Sequence, residues 1–137
     1  MSDGPSTPAP HPWGEAPTPY LELGGDDSVR MLAVTFYATI DDQSPSLRTM
    51  LPNRLEGSIE KFYEYLSGWL GGPQLYVAKR GHPRLRMRHM PFPIGSFEVD
   101  EWLRCMTLTL DARGVEGALR SFLDERFANV AHHMVNR

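Results

Sequence analysis

The chain has 137 residues, a formal net charge of −3 and one cysteine, Cys105. That length suits one compact domain, and a hydrophobic content of 41% can fill one core. A mildly acidic total argues against a dedicated nucleic-acid binder, and one thiol builds neither a disulfide framework nor a four-cysteine zinc site. No apolar run approaches the ~20 residues that span a bilayer. The N-terminus has neither the basic start nor the apolar core of a signal peptide, so a cytoplasmic protein is expected.

Residues 1–19 hold six of the twelve prolines. With few apolar side chains to offset backbone ordering, this stretch is expected to be a flexible extension. Trp13 is the one residue in it able to tuck against the body. Residues 20–137 then form the folded domain. Gly24-Gly25-Asp26-Asp27 makes a turn and helix start, and Val29, Leu32, Ala33, Phe36, Tyr37 and Ile40 follow at amphipathic helical spacing. This predicts a helix over 27–41.

A second helix is predicted over 55–70, from Ile59, Phe62, Tyr63, Leu66, Trp69 and Leu70, ended by Gly71-Gly72-Pro73. Residues 74–95 are less regular, and Leu75-Tyr76-Val77-Ala78 is the nearest approach to a strand. A short helix from Pro83 to Met90 is expected, with Pro83 at its first position. Pro91 and Pro93 stop it. Ser96 is the expected N-cap of a third long helix over 97–112. The last helix covers 115–135, with Val115, Leu119, Phe122, Leu123, Phe127, Val130 and Met134 in its stripe. Periodicity alone makes the fold all-α.

Five histidines are available: His11, His82, His89, His132 and His133. The adjacent pair His132 and His133 points about 100° apart on a helix, so both cannot easily face one metal. His82 and His89 lack well-spaced further ligands for zinc. There is no glycine-flanked serine elbow and no glycine-rich phosphate loop. Lys79, Arg80, Arg84, Arg86 and Arg88 form a basic cluster. It reads as a solvated face, a nucleic-acid patch or an anion site, and the cluster alone does not choose.

The run from Gly81 to Gly95, Gly-His-Pro-Arg-Leu-Arg-Met-Arg-His-Met-Pro-Phe-Pro-Ile-Gly, followed by Trp102-Leu103-Arg104-Cys105-Met106, resembles the group II truncated haemoglobins. Phe36-Tyr37 and Leu70-Gly71-Gly72-Pro73 fit the same family. The resemblance extends from about Tyr20 to the C-terminus. It implies a truncated globin, a two-over-two helical sandwich around haem b, with His89 as proximal iron ligand. A neutral imidazole nitrogen suits that role.

The same resemblance makes Arg86 and Lys61, with Arg88 or Tyr76, candidates for the haem propionates. Leu51, Phe62, Met87, Phe92 and Trp102 become further haem contacts. The distal side falls to Tyr37, Ser58, Phe62 and Trp102, with Tyr37 and Trp102 as hydrogen-bond donors. Leu51 stands where the family commonly has an aromatic residue, and Met90 where a smaller one is common.

The implied function is reversible binding of O2 and of CO or NO. Nitric-oxide dioxygenation or peroxidase-like chemistry would use the same site with an external reductase. A haem-free helical interaction domain is the third class, and it predicts a colourless protein. Monomer and homodimer both stay open.

Overall fold

The computed structural model describes residues 9–137. Eight helices run through the described residues: α1 (Pro19–Leu23), α2 (Asp26–Gln43), α3 (Pro45–Arg48), α4 (Glu56–Trp69), α5 (Leu75–Arg80), α6 (Leu85–His89), α7 (Ser96–Ala112) and α8 (Gly117–His133). The long helices α2, α4, α7 and α8 are those the periodicity predicts. α2 packs on α4 and α7, and α7 packs on α8. The α2/α4 pair thus lies over the α7/α8 pair, which is the two-over-two arrangement.

One apolar core joins the pairs. Leu32, Ala33 and Phe36 of α2 meet Leu66 of α4, Cys105, Met106 and Leu110 of α7, and Leu123 and Phe127 of α8. Each large side chain buried this way stabilises the fold by about 1.5–3 kcal/mol. Two glycine pairs make the tight connections. Gly24 and Gly25 turn α1 into α2 at φ of 125° and 87°, where other residues are strained. Gly72 lies so close to Tyr20 that a β-carbon there would stand 2.3 Å from the ring. The absence of that atom lets α1 lie along the end of α4, where the Tyr20 N–H donates to Leu70 O at 2.9 Å.

Residues 75–78, irregular in the sequence, are helical: α5 packs along α4, and among the described residues no strand is there to pair with them. Several local details differ from expectation, each for a physical reason. α6 starts at Leu85 rather than Pro83. Arg84 adopts a left-handed backbone with φ of 48°, and its N–H donates to His82 Nδ1 at 3.0 Å. The N-cap of α7 is Gly95, whose N–H donates to Glu98 Oε1 at 2.7 Å, so Ser96 is the first helical residue. α8 begins at Gly117 after an extended Glu116.

Of the proline-rich stretch, residues 1–8 lie outside the described residues. Residues 9–18 fold back rather than extending away. His11 and Gly14 exchange backbone hydrogen bonds, and Trp13 Nε1 donates to Ala16 O at 2.8 Å. The Trp13 ring meets Phe122 of α8 edge-on, with centroids 5.3 Å apart. The Glu22 carboxylate accepts from the N–H groups of Glu15 and Ala16. Among the described residues no helix is long and apolar enough to cross a membrane.

Candidate functional site: an aromatic cavity closed by one histidine

Between the helix pairs lies a cavity of about 470 Å³, within the range of small-molecule sites. α2 contributes Phe36, Tyr37 and Ile40; α4 contributes Ser58, Lys61, Phe62, Tyr65 and Trp69. Tyr76 comes from α5, Leu85, Arg88 and His89 from α6, and Val99 and Trp102 from α7. Leu51 and Phe92 line it from loops. Ten of the twelve residues singled out from the sequence therefore meet around one space.

Arg86 and Met87, also expected around haem, do not line it. His89 and Leu85 are four apart on α6 and share its inward face, so positions one and two beyond Leu85 turn outward. Met87 is exposed. The Arg86 guanidinium instead donates to His133 O at 3.2 Å and Val135 O at 3.0 Å, at the carbonyl end of α8, where a cation is favoured. Arg88, beside His89, is the arginine that reaches the cavity.

The wall is aromatic on one side. Phe36 lies 5.5 Å from Tyr37 and 5.0 Å from Trp102 between ring centroids, and Phe62 lies 5.8 Å and 6.4 Å from the same two rings. The two phenylalanines hold the tyrosine and the tryptophan on one cavity face. Among the described residues, the Tyr37 hydroxyl, Trp102 Nε1 and Ser58 hydroxyl have no protein hydrogen-bond partner, and none of these atoms is sealed from solvent-sized space. Burial of the phenol pushes the Tyr37 pKa up to about 12, so it stays a protonated donor at neutral pH.

His89 also lines the cavity, from α6. Its Nδ1 lies 2.6 Å from Leu85 O. A carbonyl only accepts, so Nδ1 carries the proton, and the lone pair of the neutral ring sits on Nε2. Among the described residues no cluster of three or more His, Cys, Asp or Glu side chains can hold a bare metal ion. A metal at His89 must therefore bring most of its ligands with it.

Asn136, which no sequence signal singled out, fixes the His89 loop. Its Nδ2 donates to His89 O at 3.2 Å and Phe92 O at 3.0 Å, while its Oδ1 accepts from Ile94 N–H at 3.0 Å. Glu64 does the same for α5. Its carboxylate is 3% exposed and accepts from Arg80 Nε at 2.7 Å and Lys79 Nζ at 3.3 Å. These cations, Arg80 first, hold its pKa below the usual carboxylate range. That clamp seats Tyr76 in the cavity wall. Such a space admits a flat, largely apolar molecule with an electron-pair acceptor facing His89 Nε2 and anionic groups near Lys61 and Arg88.

The model of the bacterial-like globin family matches residues 18–136. The chain is 41% identical over 119 residues to a group 2 truncated hemoglobin of Bacillus subtilis, covering 87% of this chain and 89% of that protein. Among solved structures, it is similar to the group II truncated hemoglobin from Bacillus anthracis, with a TM-score of 0.85, 40% identity and coverage of 88% and 98% of the two chains. It is also similar to the cold-adapted truncated hemoglobin of the Antarctic marine bacterium Pseudoalteromonas haloplanktis, with a TM-score of 0.84, 44% identity and the same coverage.

Proposed function

The chain belongs to the bacterial-like globin family, as a truncated haemoglobin, and from that premise we propose that it binds O2 reversibly at haem b held by His89. The residues fit the group. Haem is flat and apolar, brings four equatorial nitrogens to its iron, and carries two carboxylates. The cavity is apolar and aromatic, offers one lone-pair nitrogen, and has Lys61 and Arg88 on its lining without a carboxylate partner among the described residues. Held there, haem b supplies an iron able to take a diatomic molecule such as O2, CO or NO.

The rest is done by side chains. His89 ligates through Nε2, and Leu85 O keeps its ring from rotating. Lys61, Arg88 and Tyr76 hold the propionates. Leu51, Phe62, Phe92 and Trp102 contact the ring and exclude water. The single observation that carries the O2 reading is the set of unpartnered donors on the aromatic face. Tyr37 O–H and Trp102 Nε1–H, with the Ser58 hydroxyl beside them, stabilise a small acceptor that gathers negative charge in the cavity.

The test is the rate of O2 dissociation after laser photolysis or rapid mixing. Each well-placed bond contributes about 1–3 kcal/mol, so Trp102→Phe is expected to speed release by about 5- to 150-fold. Unchanged release in both Trp102→Phe and Tyr37→Phe would overturn the assignment of these donors.

A further inference from the structure

Charge is distributed very unevenly along this chain. Residues 79–97 hold five cations, Lys79, Arg80, Arg84, Arg86 and Arg88, and no carboxylate. The remaining residues hold nine Lys and Arg against seventeen Asp and Glu, a net of −8. Of the five, Lys79 and Arg80 share the single carboxylate of Glu64. Arg84, Arg86 and Arg88 form no ion pair among the described residues. Arg86 and Arg88 direct their donors to carbonyls, which leaves their charge uncompensated.

Two propionates neutralise two cations. With Lys61 and Arg88 assigned to them, Arg84 and Arg86 remain in excess, together with the surplus charge of the Lys79/Arg80 pair. Two apolar side chains lie among these arginines, Met87 at 57% and Met90 at 46% exposed. Arginine and methionine are both enriched at protein interfaces, whereas the acidic total of the chain disfavours a nucleic-acid partner.

The position is as informative as the composition. The segment that carries Arg84, Met87 and Met90 outward carries Leu85, Arg88, His89 and Phe92 into the cavity wall. A protein seated here stands directly outside the iron ligand. Resting on the haem reading above, we propose that this face docks an acidic protein carrying a one-electron centre, which returns ferric iron to the ferrous state. One electron leaves the donor centre and one ferric iron becomes ferrous; no bond or proton needs to move. The opposite charges of the two surfaces steer the encounter, and such redox complexes have small, transient interfaces.

The experiment uses ferric holoprotein and, as the acidic probe, an oxidised plant-type ferredoxin, titrated by calorimetry or by NMR shifts at low ionic strength. Wild type is expected to bind, and to weaken steeply with added salt. Arg84→Glu and Met87→Asp, both outside the cavity, are expected to weaken binding about tenfold or more with an unchanged Soret band. Arg113→Glu, which changes the same charge at the far end of α7, is expected to bind as wild type does. Equal loss in all three variants would mean unspecific attraction and would overturn the docking face. So would absence of wild-type binding, or binding of duplex DNA but not ferredoxin. Absence of a Soret band, seen before any titration, would overturn the haem reading itself.

Discussion

His89 and Asn136 are 47 positions apart, yet Asn136 closes the loop that holds His89 in place. Removing its amide frees three backbone partners, two carbonyls and an N–H, in a partly buried loop. Asn136→Ala is expected to cost about 1–3 kcal/mol and to speed haem loss, measured by transfer to an excess of a haem-scavenging apoglobin. Haem transfer at the wild-type rate would show that the clasp is incidental. In the aromatic wall of the cavity, Tyr37→Phe and Trp102→Phe are expected to be non-additive in O2 release, because both donors serve one acceptor. The Tyr37 effect is expected to be constant from pH 6 to 9, since its hydroxyl titrates only at about 12. What was legible at this scale came from the motif around His89 and from the aromatic positions. The outward turn of Arg86 and Met87 was not, because the facing of a five-residue helix is set by its contacts and not by residue type. Asn136 carried no signal, since a lone asparagine after a helix resembles any other helix end.

At the scale of elements, the four long helices were legible because fourteen to eighteen residues complete several turns of apolar periodicity. α3 and α5, of four and six residues, do not complete enough turns for a pattern to emerge. Their placement comes from tertiary partners. Ser44 caps α3 with its hydroxyl, which also donates to Glu101 Oε1 at 2.8 Å, and Glu64 anchors the end of α5. Because the folded-state pKa of Glu64 is depressed, its contribution is present above the ordinary carboxylate value and is lost as pH falls through the lower folded one. Glu64→Gln is therefore expected to lower stability at pH 7 and to flatten its acid dependence below pH 5. Chemical denaturation across pH checks this, and parallel curves for the two proteins would contradict it.

For the whole molecule, the division into an extension over 1–19 and a globin domain over 20–137 is itself a testable reading. Composition predicts a flexible proline-rich stretch and marks Trp13 as the one residue in it able to tuck against a surface, without saying which. Trp13 does find one, on Phe122, with His11 stacked on it at 4.8 Å. Partial burial of that indole stabilises the fold by about 1–2 kcal/mol. Trp13→Ala is expected to lower Tm by several degrees while leaving the absorption spectrum intact, whereas a changed spectrum would make residues 9–18 part of the haem site.

The predictions on O2 release, haem loss and docking rest on haem held in this cavity through His89. The most direct measurement is the absorption spectrum of the purified protein, ferric, dithionite-reduced and with CO, for wild type and His89→Gly. Wild type is expected to show a strong Soret band that shifts on adding CO, and His89→Gly to lose stable haem and regain it with free imidazole. No Soret band in wild type even after adding hemin, or an unchanged spectrum in His89→Gly, would contradict it.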